Sequence, residues 1–353
     1  STQLNQEKHM YMYTQGHSRI ISIGAYIPDK RITSREILQA INSEARFGIS
    51  HDWLERTMGI SERRVAPDDM LPSDMATHAA REAMEVAAIK PTEIDAIIFV
   101  GVDRDYLEPA TAHIVQKKIG ASNAVAFDVS NACHGFMNGI HLMDALIATG
   151  QARRGLIVTG EHAHRITLKA IKALNESKER NIFIKYAGGL TLGDAGAAMI
   201  MGPKLGPDSG FMGFMLQSQG QYSDLCVCGN HRGEESPLET DMPTIVMQNT
   251  RLHSAMYTQF MAKLGWKPGD INKFVHHQVG SKVFTHHARY ARISTDIMPN
   301  TLNMLGNLVT ATIPVNLYKL FKKQQVNNGD RVFLSGSGSG LAISQTGLIW
   351  DAA

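Results

Sequence analysis

The chain has 353 residues, of which 43 % are apolar and 19 % charged, and its formal net charge is +2. That length holds two domains, or one large unit of two halves with a substantial core. The near-neutral balance, without any Lys/Arg run, argues against a nucleic-acid partner.

In chain order, residues 1–18 lack the apolar middle of a signal peptide and read as a flexible arm. No later apolar run reaches the roughly 20 residues needed to span a bilayer, so a reducing, cytoplasmic setting is expected. Arg19–Tyr26 alternates as a strand and stops before Pro28. Ser73-Asp74 predicts a helix cap, with the helix running to about Ala88. Ala96–Gly101 is a continuous apolar run, as in a strand covered on both faces. A strand over Ala124–Val129 leads into Ser130-Asn131-Ala132-Cys133-His134-Gly135. The helix that follows carries Phe136, Ile140, Met143 and Ile147 on one face. Gly155–Thr159 and Ala197–Met201 are further buried strands. Between them, Ile166–Tyr186 is a charged, helical stretch that leads toward the Gly-rich segment 188–196.

The second half repeats the pattern. A helix over Thr250–Leu264 precedes a strand at Lys273–His277, and Leu305-Gly306-Asn307 opens a helix containing Pro314. A strand at Arg331–Leu334 ends in the Ser/Gly turn 335–340. Strands alternating with helices predict α/β layers with mostly parallel sheets. The halves divide near Gly202–Gly210, giving an arm over 1–18, a first half over 19–205 and a second over 206–353.

Three cysteines, Cys133, Cys226 and Cys228, are too few for a disulfide framework. The Cys226-Val227-Cys228 spacing is not a zinc pattern, so no metal is expected. Cys133 stands where a strand gives way to a helix, and free N–H groups with the helix dipole there favour a thiolate; the alternative is a small core cysteine. His277, at a strand's carboxyl end, can shuttle a proton or donate to a thioester oxygen, whereas His276 points to the opposite face. Asn307 is either a helix N-cap or a donor to a developing enolate oxygen. The glycines of 335–340 allow close backbone approach, but no Lys-Ser/Thr follows them, which excludes a phosphate loop.

Cys133, His277 and Asn307, in that order, resemble the Cys-His-Asn set of the thiolase superfamily, specifically that of ketoacyl-ACP synthase III enzymes. Trp53-Leu-Glu-Arg56-Thr-Met-Gly59, Phe127–Cys133, Gly193-Asp-Ala-Gly196 and Gly306-Asn307 extend the likeness over about residues 19–350. The motif Asp105-Tyr-Leu-Glu108-Pro-Ala-Thr-Ala112, the Leu225-Cys226 segment and the stretch 166–186 are closer to OleA-type enzymes, which join two fatty acyl-CoA chains. Trp53 and the Gly193–Gly196 form lean instead toward synthase III.

The resemblance implies a thiolase fold of two pseudo-repeated halves in αβαβα layers, a homodimer, acyl-CoA or acyl-ACP substrates, and no cofactor. It implies that Cys133 is the acylated nucleophile, with an oxyanion hole from the N–H groups of Cys133 and Gly340, and that Trp53 and Arg56 contact CoA. Glu108, reaching a partner's site, would be the base for non-decarboxylative Claisen condensation, because an ordinary acyl thioester must lose an α proton. The alternatives are a decarboxylative synthase using a malonyl or β-ketoacyl partner, and a non-catalytic subunit.

Overall fold

The computed structural model describes residues 11–231 and 234–352. The first strands are β1 (Met12–Gln15), β2 (Ser18–Tyr26), β3 (Arg31–Thr33), β4 (Glu62–Arg64), β5 (Ala96–Val100), β6 (Val125–Val129) and β7 (Gly155–Glu161). They continue as β8 (Ala195–Pro203), β9 (Gly210–Tyr222), β10 (Cys226–His231), β11 (Glu234–Thr240), β12 (Lys273–His276), β13 (Arg331–Gly338) and β14 (Gly340–Ile349). The helices are α1 (Ser34–Ala40), α2 (Ser43–Phe47), α3 (Pro72–Val86), α4 (Thr111–Ile119), α5 (Gly135–Ala148) and α6 (His164–Asn175). After them come α7 (Arg180–Tyr186), α8 (Met242–Leu264), α9 (Ser281–Ala291), α10 (Leu302–Leu305) and α11 (Thr312–Lys322).

Two five-stranded sheets, β2-β8-β7-β5-β6 and β1-β9-β14-β13-β12, make the frame. Helices α5 and α11 lie between them, and one continuous apolar cluster joins Phe136, Ile140 and Met143 of α5 with Ile313 and Leu317 of α11 and with both sheets. Helices α3 and α4 cover the outer face of the first sheet through Ala76, Ala80, Val115 and their neighbours. Helices α8 and α9 cover the second through Met256, Phe260 and Phe284. The layers are therefore αβαβα. The apolar runs at β5 and β7 follow from this: every residue in both is buried, because each strand has helices on both faces.

Several details differ from expectation. The sheets are mixed, since only β5–β6, β5–β7 and β12–β13 pair in parallel. The Ser/Gly run is largely strand: Ser335–Gly338 finish β13 and Gly340 begins β14, so the two form a tight antiparallel hairpin around Ser339. Helix α3 starts at Pro72, with the Asp74 carboxylate accepting the Leu71 N–H at 2.9 Å. Residues 1–10 of the expected arm lie outside the described residues. Its described part is a strand, in which β1 pairs antiparallel with β9. Residues Met12–Gln15 thus complete the sheet of the second half. The chain passes between the sheets from Pro203 to Gly210.

Candidate active site

Cys133 sits in a short 3-10 turn, Ala132–His134, between β6 and α5. Ala132 just before it holds φ +46°, an uncommon value for a residue with a side chain. The end of β13 lies against this elbow. A Cβ on Gly338 would fall 2.7 Å from the His134 backbone N, so this position needs glycine. His134 itself is structural, with Nδ1 at 2.7 Å from Asn138 Oδ1 and Nε2 at 2.7 Å from Ser344 Oγ.

His277 follows β12 and is fixed by its N–H, which donates to Ser335 O at 3.1 Å. Asn307 lies in extended backbone beyond α10 and precedes the first turn leading to α11, so it is not the N-cap of a long helix. Gly306 makes the bend at φ +68°, where a Cβ would meet Thr191 O at 2.6 Å. The Asn307 N–H donates to Thr191 O at 2.9 Å, and Gly193 N–H donates to Asn307 O at 3.0 Å. The Gly-rich segment 188–196 is thus the rail on which Asn307 is hung. Its Oδ1 accepts the Val309 N–H at 2.9 Å, leaving the side-chain amide N–H groups for an incoming oxygen.

Cys133, His277 and Asn307 all line one cavity of about 390 Å³. Its other walls include Ile166, Leu192, Leu238, Met242, Ile245 and Val279. His276 does not line it; its ring packs edge-on to Phe284 at 4.4 Å. Burial pushes the Cys133 thiol up, with Cys226 and Glu161 adding to the shift. Desolvation thus opposes the thiolate-favouring effect expected of the elbow. Burial likewise lowers His277 to about 3, with His276 and His134 contributing, so the imidazole is neutral at neutral pH.

Other expected residues lie elsewhere. Glu108 is exposed on the loop between β5 and α4, beside Tyr106 and Leu107, which are 56 % and 91 % exposed. It is not among the residues lining this chain's cavity. Trp53 packs edge-on to Phe183 at 5.2 Å, and Arg56 reaches toward Asp52 at 3.5 Å; neither lines the cavity. Gly338 and Ser339, not Gly340, form the wall where the second oxyanion donor was expected.

Three features escaped the sequence reading. Cys226 and Cys228 line the same cavity as Cys133, delivered by the β10–β11 hairpin; their spacing of two was the available signal. Among the described residues, Arg104 is the single charged residue in the lining. Glu161, the one acidic residue in the otherwise uncharged β7, is completely buried. It accepts Thr310 Oγ1–H at 2.6 Å, Val102 N–H at 2.9 Å and Asp103 N–H at 3.2 Å. Burial raises its carboxyl to about 7. This one side chain ties the Glu108 loop to the turn after Asn307.

The chain matches the family models of 3-oxoacyl-[acyl-carrier-protein] synthase III over residues 127–220 and of its C-terminal part over residues 261–350. It is 33 % identical to an acyl-CoA:acyl-CoA alkyltransferase of Xanthomonas campestris over 90 % of this chain and 94 % of that one. A β-ketoacyl-[acyl-carrier-protein] synthase III of Caldanaerobacter subterraneus is 27 % identical over 94 % and 97 % of the two chains. Crystal structures of X. campestris OleA superpose closely. The cerulenin-bound form has TM-score 0.88 at 30 % identity, covering 95 % of this chain and 98 % of that one. A variant with bound lauric acid and lauroyl-CoA has TM-score 0.89 at 30 % identity, covering 96 % and 100 %. Fold and site together define a thiolase-fold condensing enzyme, an acyltransferase. Within that superfamily the chain belongs to the ketoacyl-ACP synthase III family, on the side of it that includes OleA.

Proposed function

We propose that the protein joins two fatty acyl thioesters by non-decarboxylative Claisen condensation. The observation that carries this reading is the meeting of Cys133, His277 and Asn307, from three distant segments, in one cavity with largely apolar walls. Cys133 Sγ attacks the first thioester while its proton is relayed through His277 to the departing sulfur, so that CoA leaves as the thiol. The Cys133 N–H holds the oxyanion. The second thioester then places its carbonyl oxygen at the amide of Asn307 and at His277. Loss of an α proton gives an enolate stabilised by those donors, and its attack on the acyl-cysteine expels Cys133. The product is a 2-alkyl-3-ketoacyl thioester.

Glu108 is the base in this scheme. In its own chain it is exposed and outside the cavity, so it acts in a second copy, with Tyr106 and Leu107 covered by that partner. OleA, named for acyl-CoA:acyl-CoA alkyl transfer, supports acyl-CoA as the substrate class.

Mass spectrometry after incubation with a fatty acyl-CoA should find a thioester adduct on Cys133. Absence of that adduct would overturn the proposal. Glu108→Ala should still acylate but form no condensed product; normal condensation would remove Glu108 from its role. The exposure of Glu108 also keeps a decarboxylative reading in play. Release of labelled carbon dioxide from a malonyl thioester, coupled to product, would establish that reading instead.

A further inference from the structure

The cavity wall changes character along two helices at once. On α8 the lining residues are Met242, Ile245, Val246, Asn249, Thr250 and His253, all on one helical face. The first three are apolar and the last three polar. On α9 the lining residues are Val283, His286, His287 and Tyr290, again one face, again apolar first and polar after.

The polar ends of the two stripes meet. The His253 and His287 rings are 5.4 Å apart, and Thr250 Oγ1 lies 3.0 Å from His286 Nδ1. His253 Nε2 lies 2.8 Å from Ser337 Oγ, on β13 two residues beyond Ser335, whose carbonyl fixes His277. This polar end is therefore next to the reacting residues.

A cavity for plain alkyl chains gains nothing from such a wall, since each buried polar group needs a partner. Most of these groups have internal partners: Thr250 Oγ1 donates to Val246 O at 2.8 Å, and His287 Nδ1 lies 2.5 Å from Tyr290 Oη. Asn249 Oδ1 is buried with none. Among the described residues no Lys, Arg, Asp or Glu stands at this end, and Arg104 on the β5–α4 loop is the only charged lining residue. Burial keeps His253 and His287 neutral. A charged ligand group would lose its hydration there without a counter-charge.

We infer that this wall is a polar subsite for an acyl thioester bearing an uncharged oxygen, a hydroxyl or a keto group, close to the thioester end of an otherwise apolar chain. The inference rests on the cavity being an acyl-thioester site, and it narrows the substrate class. A site built to hydrogen-bond such an oxygen rejects the analogue lacking it, because the buried Asn249 side chain is then left unpaired.

The test compares decanoyl-CoA, 3-hydroxydecanoyl-CoA and 3-oxodecanoyl-CoA, each alone and in pairs, by intact-mass detection of the Cys133 adduct and by product formation. One oxygenated thioester should exceed decanoyl-CoA in kcat/KM by about tenfold or more, in acylation or as second substrate. The better of the two identifies a donor or an acceptor at the ligand. Asn249→Leu and, separately, Thr250→Val should pull that ratio toward one; both are near-isosteric, and thermal melting verifies folding. Equal or better use of decanoyl-CoA by the unmodified protein, or a ratio that neither variant moves, overturns the subsite. Failure of every thioester to modify Cys133 overturns the acyl-thioester reading as well, a result distinct from modification without discrimination.

Discussion

At Asn307 a single hydrogen bond sets which end of the amide meets substrate. Val309 N–H occupies Oδ1, so the donor end is the one offered. Asn307→Asp keeps the size and the acceptor but removes the donor and adds negative charge where an enolate must form. Condensation should fall about 10²–10³-fold, the usual cost of losing one oxyanion donor, while Cys133 acylation persists. Rapid-quench measurement of the adduct and the product separates the two steps. Neutral His277 fits the same chemistry: burial weakens it as a base, and its uncharged ring N–H can be offered to the thioester oxygen.

Among the elements, α5 does two jobs. The 3-10 turn that leads into it carries Cys133, and its C-terminal half anchors the start of β2. Asp144, buried on α5, accepts His17 N–H at 2.8 Å, Ser18 N–H at 2.8 Å and Ser18 Oγ–H at 2.5 Å through one oxygen. Through this carboxylate the inner helix is clamped to an edge strand of the first sheet. Asp144→Ala leaves three donors unmet and should destabilise the fold by about 3 kcal/mol, read as a lower midpoint in urea unfolding. The β13–β14 hairpin plays the matching part on the other side. Glycine at 338 lets it touch the Cys133 elbow, and Ser337 and Ser339 finish the cavity wall.

For the molecule as a whole, a row of neutral buried histidines links stability to pH. Burial lowers His134 and His276 to about 4, His253 and His277 to about 3, and His287 well below 6.5. Unfolding restores them to about 6.5. Between roughly pH 4 and 6.5 the unfolded chain therefore binds more protons, so this contribution to stability is present above that window and is lost as pH falls through it. Glu161 and Asp194, both raised to about 7 by burial, act in the opposite sense, favouring the folded state as pH falls toward their unfolded values. Burial also lowers His141, His162 and His164 and raises Asp103 and Asp351; with eight histidines against four carboxylates, the melting temperature should drop on going from pH 7 to pH 5. A flat or rising profile would show that the carboxylates dominate.

The alternation of strands and helices was legible from local pattern, while the αβαβα order of the layers came from the resemblance to the thiolase superfamily. Strands covered on both faces write themselves as unbroken apolar runs, as at β5 and β7, and the inner helix shows its spacing in Phe136, Ile140, Met143 and Ile147. Cys133, His277 and Asn307 were legible as well, because each stands at a junction with its own short motif. What the sequence could not carry was anything set by desolvation or by contact between distant segments. The protonation of Cys133 and His277 depends on what covers them. Glu161 gains its importance only by reaching two loops, and Cys226 and Cys228 reach the cavity only through a hairpin whose neighbours lie far along the chain. Local propensity and periodicity are properties of a few consecutive residues, whereas burial and electrostatics are properties of the packed whole, and the chemistry of this site belongs mostly to the latter.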